Sequence, residues 1–443
     1  MLIFYGIIHK NKFYTIREGN ASMNKKFLSK FFLALIAIFL IIGGKIFADY
    51  YAKYSQAPVH IIIASDTHYL APEYRGDYFK EPNAMFDGKV IHYSSEYFDA
   101  FLTEVIEKHP QILILSGDIT LNGSIKSHEE VSAKLQQVQD AGTQILVIPG
   151  NHDVYSTAGD YSPEEPVIVD GTTTEDFMKL YENFGPSQAL SKDEASLSYI
   201  YEASPYLRIL MIDTNTLSKG TVVNSTLEWI EQELQKAQKE NVDVIAVTHQ
   251  NLHIHNELLY FSYQLYNADE LLALFETYDV KLNLSGHIHI QSIVDNGTIP
   301  EIAVGSLGIG GTPYGELTYT ANGINYTTVK TDVSSYAASM NMTDENLLDF
   351  NNYSLWYFKE VGRLQSLAGL AESNLTEDEK NLLADTFAEI NTYYFLGEPF
   401  DTEDYSDGIA LWRTQTSDFT LRYIETMLKA AEFNNQSITI EFD

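Results

Sequence analysis

The chain has 443 residues, 45% of them hydrophobic and 20% charged, which is enough to bury at least one large core. It contains no cysteine, which excludes disulfides, zinc–thiolate sites and a lipid-modified cysteine anchor. Its formal net charge of −33 opposes binding to nucleic-acid duplexes and to anionic lipid surfaces.

The first part of the chain differs in charge from the rest. Three lysines between Lys25 and Lys30 precede an uninterrupted apolar run, FFLALIAIFLIIGG, from Phe31 to Gly44. A basic segment followed by a short apolar core predicts a leader over residues 1–48, either a signal peptide or an uncleaved membrane anchor. The positive charges before the apolar core favour an exported bacterial protein, held at the extracellular face of the membrane or secreted.

Five apolar, β-type runs each end in a short motif of metal-ligand residues. In chain order the motifs are Asp66-Thr67-His68 after VHIIIAS, Gly117-Asp118 after ILILS, Gly150-Asn151-His152-Asp153 after ILVIP, His249 after DVIAVT, and Gly286-His287-Ile288-His289 after KLNLS. Oxygen and imidazole donors gathered at the carboxyl ends of buried strands predict a two-metal hydrolase site. Such a mixed site suits Mn, Fe, Zn, Co or Ni better than Ca or Mg.

The spacing within two of these motifs favours shared sites. Residues i and i+2 of an extended strand point to the same face of a sheet. Asp66 with His68, and His287 with His289, are therefore each expected to aim two ligands into one site.

Helical patterns alternate with the apolar runs, which predicts βαβ units around a buried sheet. The expected helices are Ser94–Lys108, Lys126–Ala141, Thr174–Asn183, Asn224–Asn241 and Ala268–Thr277. Two long loops, Tyr69–His92 and Val154–Thr174, leave metal motifs, and substrate specificity is expected there. The pair Asn322-Gly323 predicts a hairpin turn at the last sheet edge.

The character of the chain changes from about Asp332, where amphipathic helices are expected over Asp344–Ser366, Thr376–Leu396 and Thr416–Asn434. Thr376 and Glu379 have the spacing of a capping box. We therefore expect three parts: the leader (1–48), a catalytic domain (55–331) and a helical C-terminal subdomain (332–443).

The motif order D-x-H, G-D, G-N-H-D, H, G-H-x-H resembles the calcineurin-like metallophosphoesterase superfamily, most of all its bacterial class III cyclic-nucleotide phosphodiesterases with a C-terminal helical extension. The resemblance implies a four-layer α/β/β/α sandwich with a smaller helical subdomain, and two metal ions, with Mn, Fe or Zn favoured. It implies that Asp66, His68 and His289 hold the first metal, that Asp118 bridges, and that Asn151, His249 and His287 complete the second site.

The implied reaction is hydrolysis of small phosphodiesters, cyclic nucleotides foremost, by a hydroxide held between the metals. Asn151 and His152 would bind the substrate, and His152 would assist the leaving group. Many members have a second aspartate where Leu121 stands here, so the orientation of His152 is left to Asp153 or to a backbone carbonyl. Only Arg75, of six arginines, lies in a loop after a metal motif, which favours diesters over monoester dianions gripped by arginines.

Other functions are compatible with the same residues. The alternatives are an exported phosphomonoesterase or nucleotidase, an enzyme of cell-envelope phosphodiesters, and a non-catalytic surface binding protein. His253 and His255 follow His249 closely and could line the pocket, although ordinary loop histidines are the favoured interpretation.

Overall fold

The computed structural model describes residues 57–83, 87–414 and 419–442, together with residues 31, 33–36, 38, 39, 42–45 and 53. The chain divides into two compact units, residues 1–56 and 57–443. The described positions of the first unit are helical. Within the described positions, no helix combines the length and the apolar character needed to cross a bilayer. The leader predicted over residues 1–48 lies largely outside the described residues and stays a prediction.

The second unit contains two large β-sheets and a small hairpin. Its strands are β1 (Val59–Ala64), β2 (Ile112–Leu115), β3 (Gln144–Val147), β4 (Gly159–Asp160), β5 (Val167–Ile168), β6 (Ser191–Lys192), β7 (Tyr199–Ser204), β8 (Leu207–Met211), β9 (Asp243–Val247), β10 (Leu282–Ser285), β11 (Ser292–Val294), β12 (Glu301–Ala303), β13 (Pro313–Thr320), β14 (Gly323–Lys330) and β15 (Ser437–Glu441). The first sheet has the order β15-β14-β13-β1-β2-β3, the second β11-β12-β10-β9-β8-β7-β6, and β4 pairs with β5.

The helices of this unit lie between and after the strands. They are α1 (Ser94–Lys108), α2 (Ile125–Asp140), α3 (Thr174–Tyr181), α4 (Asn224–Glu240), α5 (Tyr260–Tyr263), α6 (Ala268–Thr277), α7 (Val333–Ser339), α8 (Glu345–Leu348), α9 (Phe350–Gly369), α10 (Glu377–Leu396), α11 (Ser406–Thr414) and α12 (Phe419–Ala430).

Parallel strands form one side of the first sheet and the middle of the second. In the first sheet β1, β2 and β3 run parallel, with Ile61 opposite Ile112, and β13 pairs antiparallel with β1. In the second sheet β8, β9, β10 and β12 run parallel, and antiparallel strands form both edges. Parallel strands consist of unbroken apolar runs because both of their faces are covered. In β2, accordingly, every residue is buried.

The layers follow from which face each apolar side chain occupies. Ile61, Ile114, Ile209, Val247 and Leu284 belong to one core that the two sheets share. A second core lies between the outer face of the first sheet and helices that include α1 and α2. A third core lies between the second sheet and helices α4 and α6. The expected four-layer α/β/β/α sandwich is confirmed.

The C-terminal region is helical, as expected, and its last residues pair with the first sheet. Leu383, Ile390, Trp412 and Ile424 form a core of their own among α10, α11 and α12. The chain then returns to the first sheet, where β15 pairs antiparallel with β14 and Ile324 lies opposite Ile440. The last predicted helix ended at Asn434, and the sequence predicted no element beyond it; the short alternating pattern of β15 there completes an open sheet edge.

Candidate metal centre

All five motifs meet at one edge of the sandwich. Asp66, Asp118 and Asn151 lie in the loops after β1, β2 and β3, which are parallel neighbours. His249 and His287 lie in the loops after β9 and β10 of the second sheet. Backbone hydrogen bonds join these loops, for example from Asp66 N to Gly117 O at 3.1 Å and from Gly286 N to His249 O at 3.0 Å.

The first candidate metal site contains Asp66, His68, Asp118 and His289, each with one ligand atom within 4.8 Å of all the others. His68 Nε2 lies 3.1 Å from His289 Nε2, and His289 Nε2 lies 3.3 Å from Asp66 Oδ1. The structure thus brings together the residues that the resemblance assigns to the first metal.

The second candidate site contains Asp118, His249 and His287, whose ligand atoms also lie within 4.8 Å of one another. His249 Nε2 is 3.4 Å from Asp118 Oδ2 and 3.2 Å from Asn151 Oδ1. Asp118 belongs to both groups, which is the position that a bridging carboxylate needs.

Hydrogen bonds to backbone carbonyls fix the histidine tautomers. His249 donates through Nδ1 to Ser116 O at 2.9 Å, which leaves Nε2 as the electron-pair donor beside Asp118. His287 donates through Nε2 to Ser262 O at 2.8 Å, which leaves Nδ1. Such outer contacts orient metal ligands and raise their basicity.

The residues fit two metal ions. Asp66 Oδ1 is buried and has no hydrogen bond among the described residues, so it is available to a metal ion. Two imidazole nitrogens 3.1 Å apart repel each other unless a cation or a proton lies between them. Carboxylate, amide and imidazole donors together match divalent transition metals.

Burial and mutual charge set the pKa values within these clusters. Burial opposes ionisation of Asp118, but the facing His249 and His152 outweigh it and hold the Asp118 pKa well below its usual range. Burial likewise works against His249, yet Asp118 and Asp66 raise its pKa to about 9. Burial, and after it the charge of His249, lowers the pKa of His287 to about 4. Metal ions would take the place of the protons that these pairs share.

The reason for the ligand spacing differs from the one inferred from the sequence. Asp66 and His68 have φ of 52° and 44°, and His287 and His289 have φ of 67° and 63°, so none of them is extended. His287 and His289 also belong to different ligand groups. Asp66 and His68 do aim their ligands into one site, as expected, whereas His287 and His289 do not. In both pairs left-handed turns, rather than strand alternation, direct the side chains.

Two glycines allow the loops to approach the ligands. Gly117 has φ of +105°, and a Cβ on it would lie 2.5 Å from His249 Nδ1. A Cβ on Gly150 would lie 2.1 Å from Asp118 Oδ1. Any larger residue at either position would displace a candidate ligand.

His152 lies beside both groups but belongs to neither. Its Nδ1 donates to Leu121 O at 2.8 Å, and its Nε2 is 3.9 Å from Asp118 Oδ2. Of the two orienting partners left open by the sequence, the structure has the backbone carbonyl. The buried Asp153 instead ties the two loops together, since it accepts hydrogen bonds from Ile119 N, Thr120 N and Gly150 N at 3.1, 2.9 and 2.8 Å.

The ligands open onto a pocket of about 410 Å³. Residues of this pocket that the sequence motifs did not indicate include Asp87, Lys89, Lys219, Tyr263 and Tyr266. Asp87 and Lys89 lie in the long loop Tyr69–His92, whose length was the only signal for them. Lys219 donates through Nζ to Asn151 O at 2.6 Å.

Three other polar residues are engaged away from the ligands. Arg75 donates through Nη1 to Glu96 Oε2 at 2.9 Å and does not line the pocket. His253 contacts Ile299 O through Nε2 at 2.8 Å, and His255 Nε2 lies 3.2 Å from the buried Glu301. Both histidines thus have the structural role favoured from the sequence.

The chain has two β-sheets within one α/β/β/α sandwich, and carboxylates and imidazoles lie together at the strand ends. This combination is typical of a metal-dependent phosphoester hydrolase. A sequence model described as calcineurin-like phosphoesterase matches residues 59–291. A second, described as the C-terminal domain of cyclic nucleotide phosphodiesterase, matches residues 332–434. The chain therefore belongs to the calcineurin-like phosphoesterase family and carries the C-terminal extension.

Solved structures with a similar fold include a dimetal phosphatase from Danio rerio, at 11% identity over 62% of this chain and 99% of that chain, with a TM-score of 0.48. GAP50, the anchor in the inner membrane complex of Plasmodium, is 14% identical over 62% of this chain and 85% of that chain, with a TM-score of 0.34. No curated protein matches the chain.

Proposed function

We propose that this chain is a dinuclear-metal phosphodiesterase that hydrolyses small phosphodiesters, with 3′,5′-cyclic nucleotides as the favoured substrates. The observation that carries the proposal is the pair of ligand groups that share Asp118 and open onto a pocket containing His152. This arrangement suits in-line displacement at phosphorus, because charge develops on both the attacking and the leaving oxygen.

We assign Asp66, His68 and His289 to the first metal, Asn151, His249 and His287 to the second, and Asp118 to both. When bound, the two cations supply Lewis-acid polarisation of the phosphoryl group and acidify a water molecule. His152 would protonate the leaving alkoxide through Nε2, since its Nδ1–H is held by Leu121 O. Positioned proton transfer of this kind contributes about 10²–10⁴-fold to the rate.

Two observations support a nucleotide diester as the substrate. Among the described residues, no arginine lines the pocket, and Arg75 is paired with Glu96, so the forked clamp for a monoester dianion is missing. Tyr266, which is 63% exposed, lines the pocket, and its ring lies 6.3 Å from that of Phe261, centroid to centroid. Exposed rings beside the reaction site offer a surface on which a nucleobase can stack.

The test compares initial rates of the full chain, loaded with Mn²⁺, on bis(4-nitrophenyl) phosphate, 4-nitrophenyl phosphate and 3′,5′-cyclic AMP. We expect the diester rate to exceed the monoester rate and to fall at least a hundredfold in His152→Ala. His109→Asn is the matched control, because His109 is an exposed histidine that ends α1 in the left-handed conformation, which asparagine adopts readily.

A specific observation favours one alternative, a phosphomonoesterase or nucleotidase. Lys89 and Lys219 both line the pocket and could neutralise a dianion in place of arginine. Faster hydrolysis of the monoester would decide for that alternative. A chain that holds two metal ions by mass spectrometry but turns over none of the three compounds would instead support a non-catalytic binding protein.

A further inference from the structure

Lys89 is a buried cation in the pocket that the reaction scheme above does not use. It is only 5% exposed, and it lines the same cavity as Asp118, His152 and His289. Its ammonium group is paired with Asp87, its one hydrogen-bond partner among the described residues. An ammonium group has three donors, so two remain for a ligand.

Placing a lysine here has an electrostatic cost. Removing an ammonium group from water is unfavourable unless anions compensate it. Asp87 compensates this ammonium group, but the two divalent cations expected beside it exceed the charge of Asp66 and Asp118, and this surplus of positive charge favours an anionic ligand.

The C-terminal helices hold the loop that carries Lys89. Gly88 has φ of +84°, and a Cβ on it would lie 2.5 Å from Cδ2 of Phe358, a residue of α9. On either side of this contact, Tyr357 Oη donates to Phe79 O at 3.0 Å and Val90 N donates to Gly308 O at 2.9 Å. The Asp87-Gly88-Lys89 turn is therefore fixed against the buried ring of Phe358.

We propose that Lys89 binds a phosphoryl oxygen of the substrate and that Phe358 is a positioning residue that sets its place. The proposal rests on the proposed function, because it takes the pocket to be the phosphoester site. A lysine supplies a compact point charge, which is adequate for the single negative charge of a diester. The C-terminal helices thereby contribute to the phosphate site without touching the substrate.

The first experiment measures binding of inorganic phosphate to the full, Mn²⁺-loaded chain by calorimetry, with metal content determined by mass spectrometry. In Lys89→Met, which keeps the stem and removes the charge, phosphate binding is expected to weaken ten- to a hundredfold while two metals stay bound. Lys89→Arg should stay within a few-fold of wild type. Unchanged binding in Lys89→Met, or loss of its metal, would overturn the proposal.

The second comparison tests the role of Phe358. Phe358→Ala is expected to weaken phosphate binding several-fold, because the turn that carries Lys89 loses its support. Phe387→Ala is the matched control, since the buried Phe387 packs against Tyr423 within the C-terminal helices and is not among the atoms met by Gly88. An equal effect of both substitutions would show that general loosening of the helices, and not the Phe358 contact, is responsible.

Phosphate binding does not depend on which ester is cleaved. A Lys89-dependent phosphate site in a chain without diester turnover would contradict the proposed function and leave the anion site standing. Diester turnover with phosphate binding that does not depend on Lys89 would support the proposed function and overturn the anion site at Lys89.

Discussion

The buried carboxylate of Asp153 connects the two loops that carry Asp118 and His152. Asp153→Asn should therefore lower the stability of the chain and also its rate of catalysis. Oδ2 accepts from Gly150 N and Ile119 N, and Oδ1 accepts from Thr120 N and Thr120 Oγ1. An asparagine must turn its NH₂ group towards one of these sets. In the more favourable orientation the NH₂ group faces Thr120. The Thr120 hydroxyl can then accept a hydrogen bond instead of donating one, but the Thr120 backbone N–H can only donate.

At least one buried N–H therefore loses its acceptor, and two do so in the other orientation. Each unsatisfied group costs about 1–3 kcal/mol, and the remaining hydrogen bonds lose the assistance of a full charge. We expect the free energy of unfolding to fall by about 2–4 kcal/mol. Because Leu121 O orients His152 from the same loop, kcat should fall at least tenfold.

Urea unfolding of the chain in EDTA, followed by circular dichroism, measures the stability change without a contribution from bound metal. Asp160→Asn is the control, since the half-buried Asp160 caps Ser162 N through one oxygen and asparagine can do the same. That substitution should stay within about 0.5 kcal/mol of wild type. A difference between Asp153→Asn and wild type below this level would refute the account of Asp153 as the link between the loops.

Three further predictions concern metal, substrate and pH. Removing metal with a chelator should lower the melting temperature, since a ligand at a thousandfold its Kd stabilises by about 4 kcal/mol; an unchanged melting temperature would contradict the assigned sites. Tyr266→Ala should raise KM for 3′,5′-cyclic AMP about tenfold, because base stacking contributes about 1–3 kcal/mol, whereas Tyr260→Ala, outside the pocket, should not. Burial, and after it Arg75, lowers the pKa of His92 to about 4. The unfolded chain therefore binds an extra proton between about pH 6.5 and 4, and stability should fall as pH falls through this window, by at most about 3 kcal/mol. His92→Gln should lose this share of the pH dependence, and an unaltered slope would contradict the burial of His92.

Much of the fold could be predicted because its signals are local. The bounds of α1 and α6, Ser94–Lys108 and Ala268–Thr277, match the expectation, since amphipathic periodicity is carried by each helix alone. Thr376 and Glu379 form the expected capping box. The hairpin at Asn322-Gly323 is present, but its turn is one residue earlier, because Gly323 already pairs with Thr320.

The parts of the site that escaped prediction depend on contacts between distant segments. The orienting partner of His152 is a backbone carbonyl, which every residue has, so the identity of Leu121 gave no indication of it. Lys89 enters the pocket through a turn packed on Phe358, and only the folded chain brings these residues together. The metal ligands could be predicted because each lies in a short motif directly after a strand. Lys89 could not, because its place depends on a contact with a distant part of the chain, and such a contact has no fixed spacing in the sequence.

The backbone conformation of the candidate ligands depends on contacts between the two sheets. Asp66, His68, Asp118, His287 and His289 all have positive φ, between 44° and 67°. For residues other than glycine this conformation costs roughly 1 kcal/mol each, and it persists only where neighbouring contacts impose it. Here those contacts are visible: Asp66 Oδ2 accepts from His287 N at 2.8 Å, and a Cβ on Gly286 would lie 1.7 Å from Ser65 Oγ. The two sheets thus press their strand-end loops together, and the resulting turns aim the ligands inwards. This strain falls on the residues that would bind metal, so the free energy of metal binding can offset it.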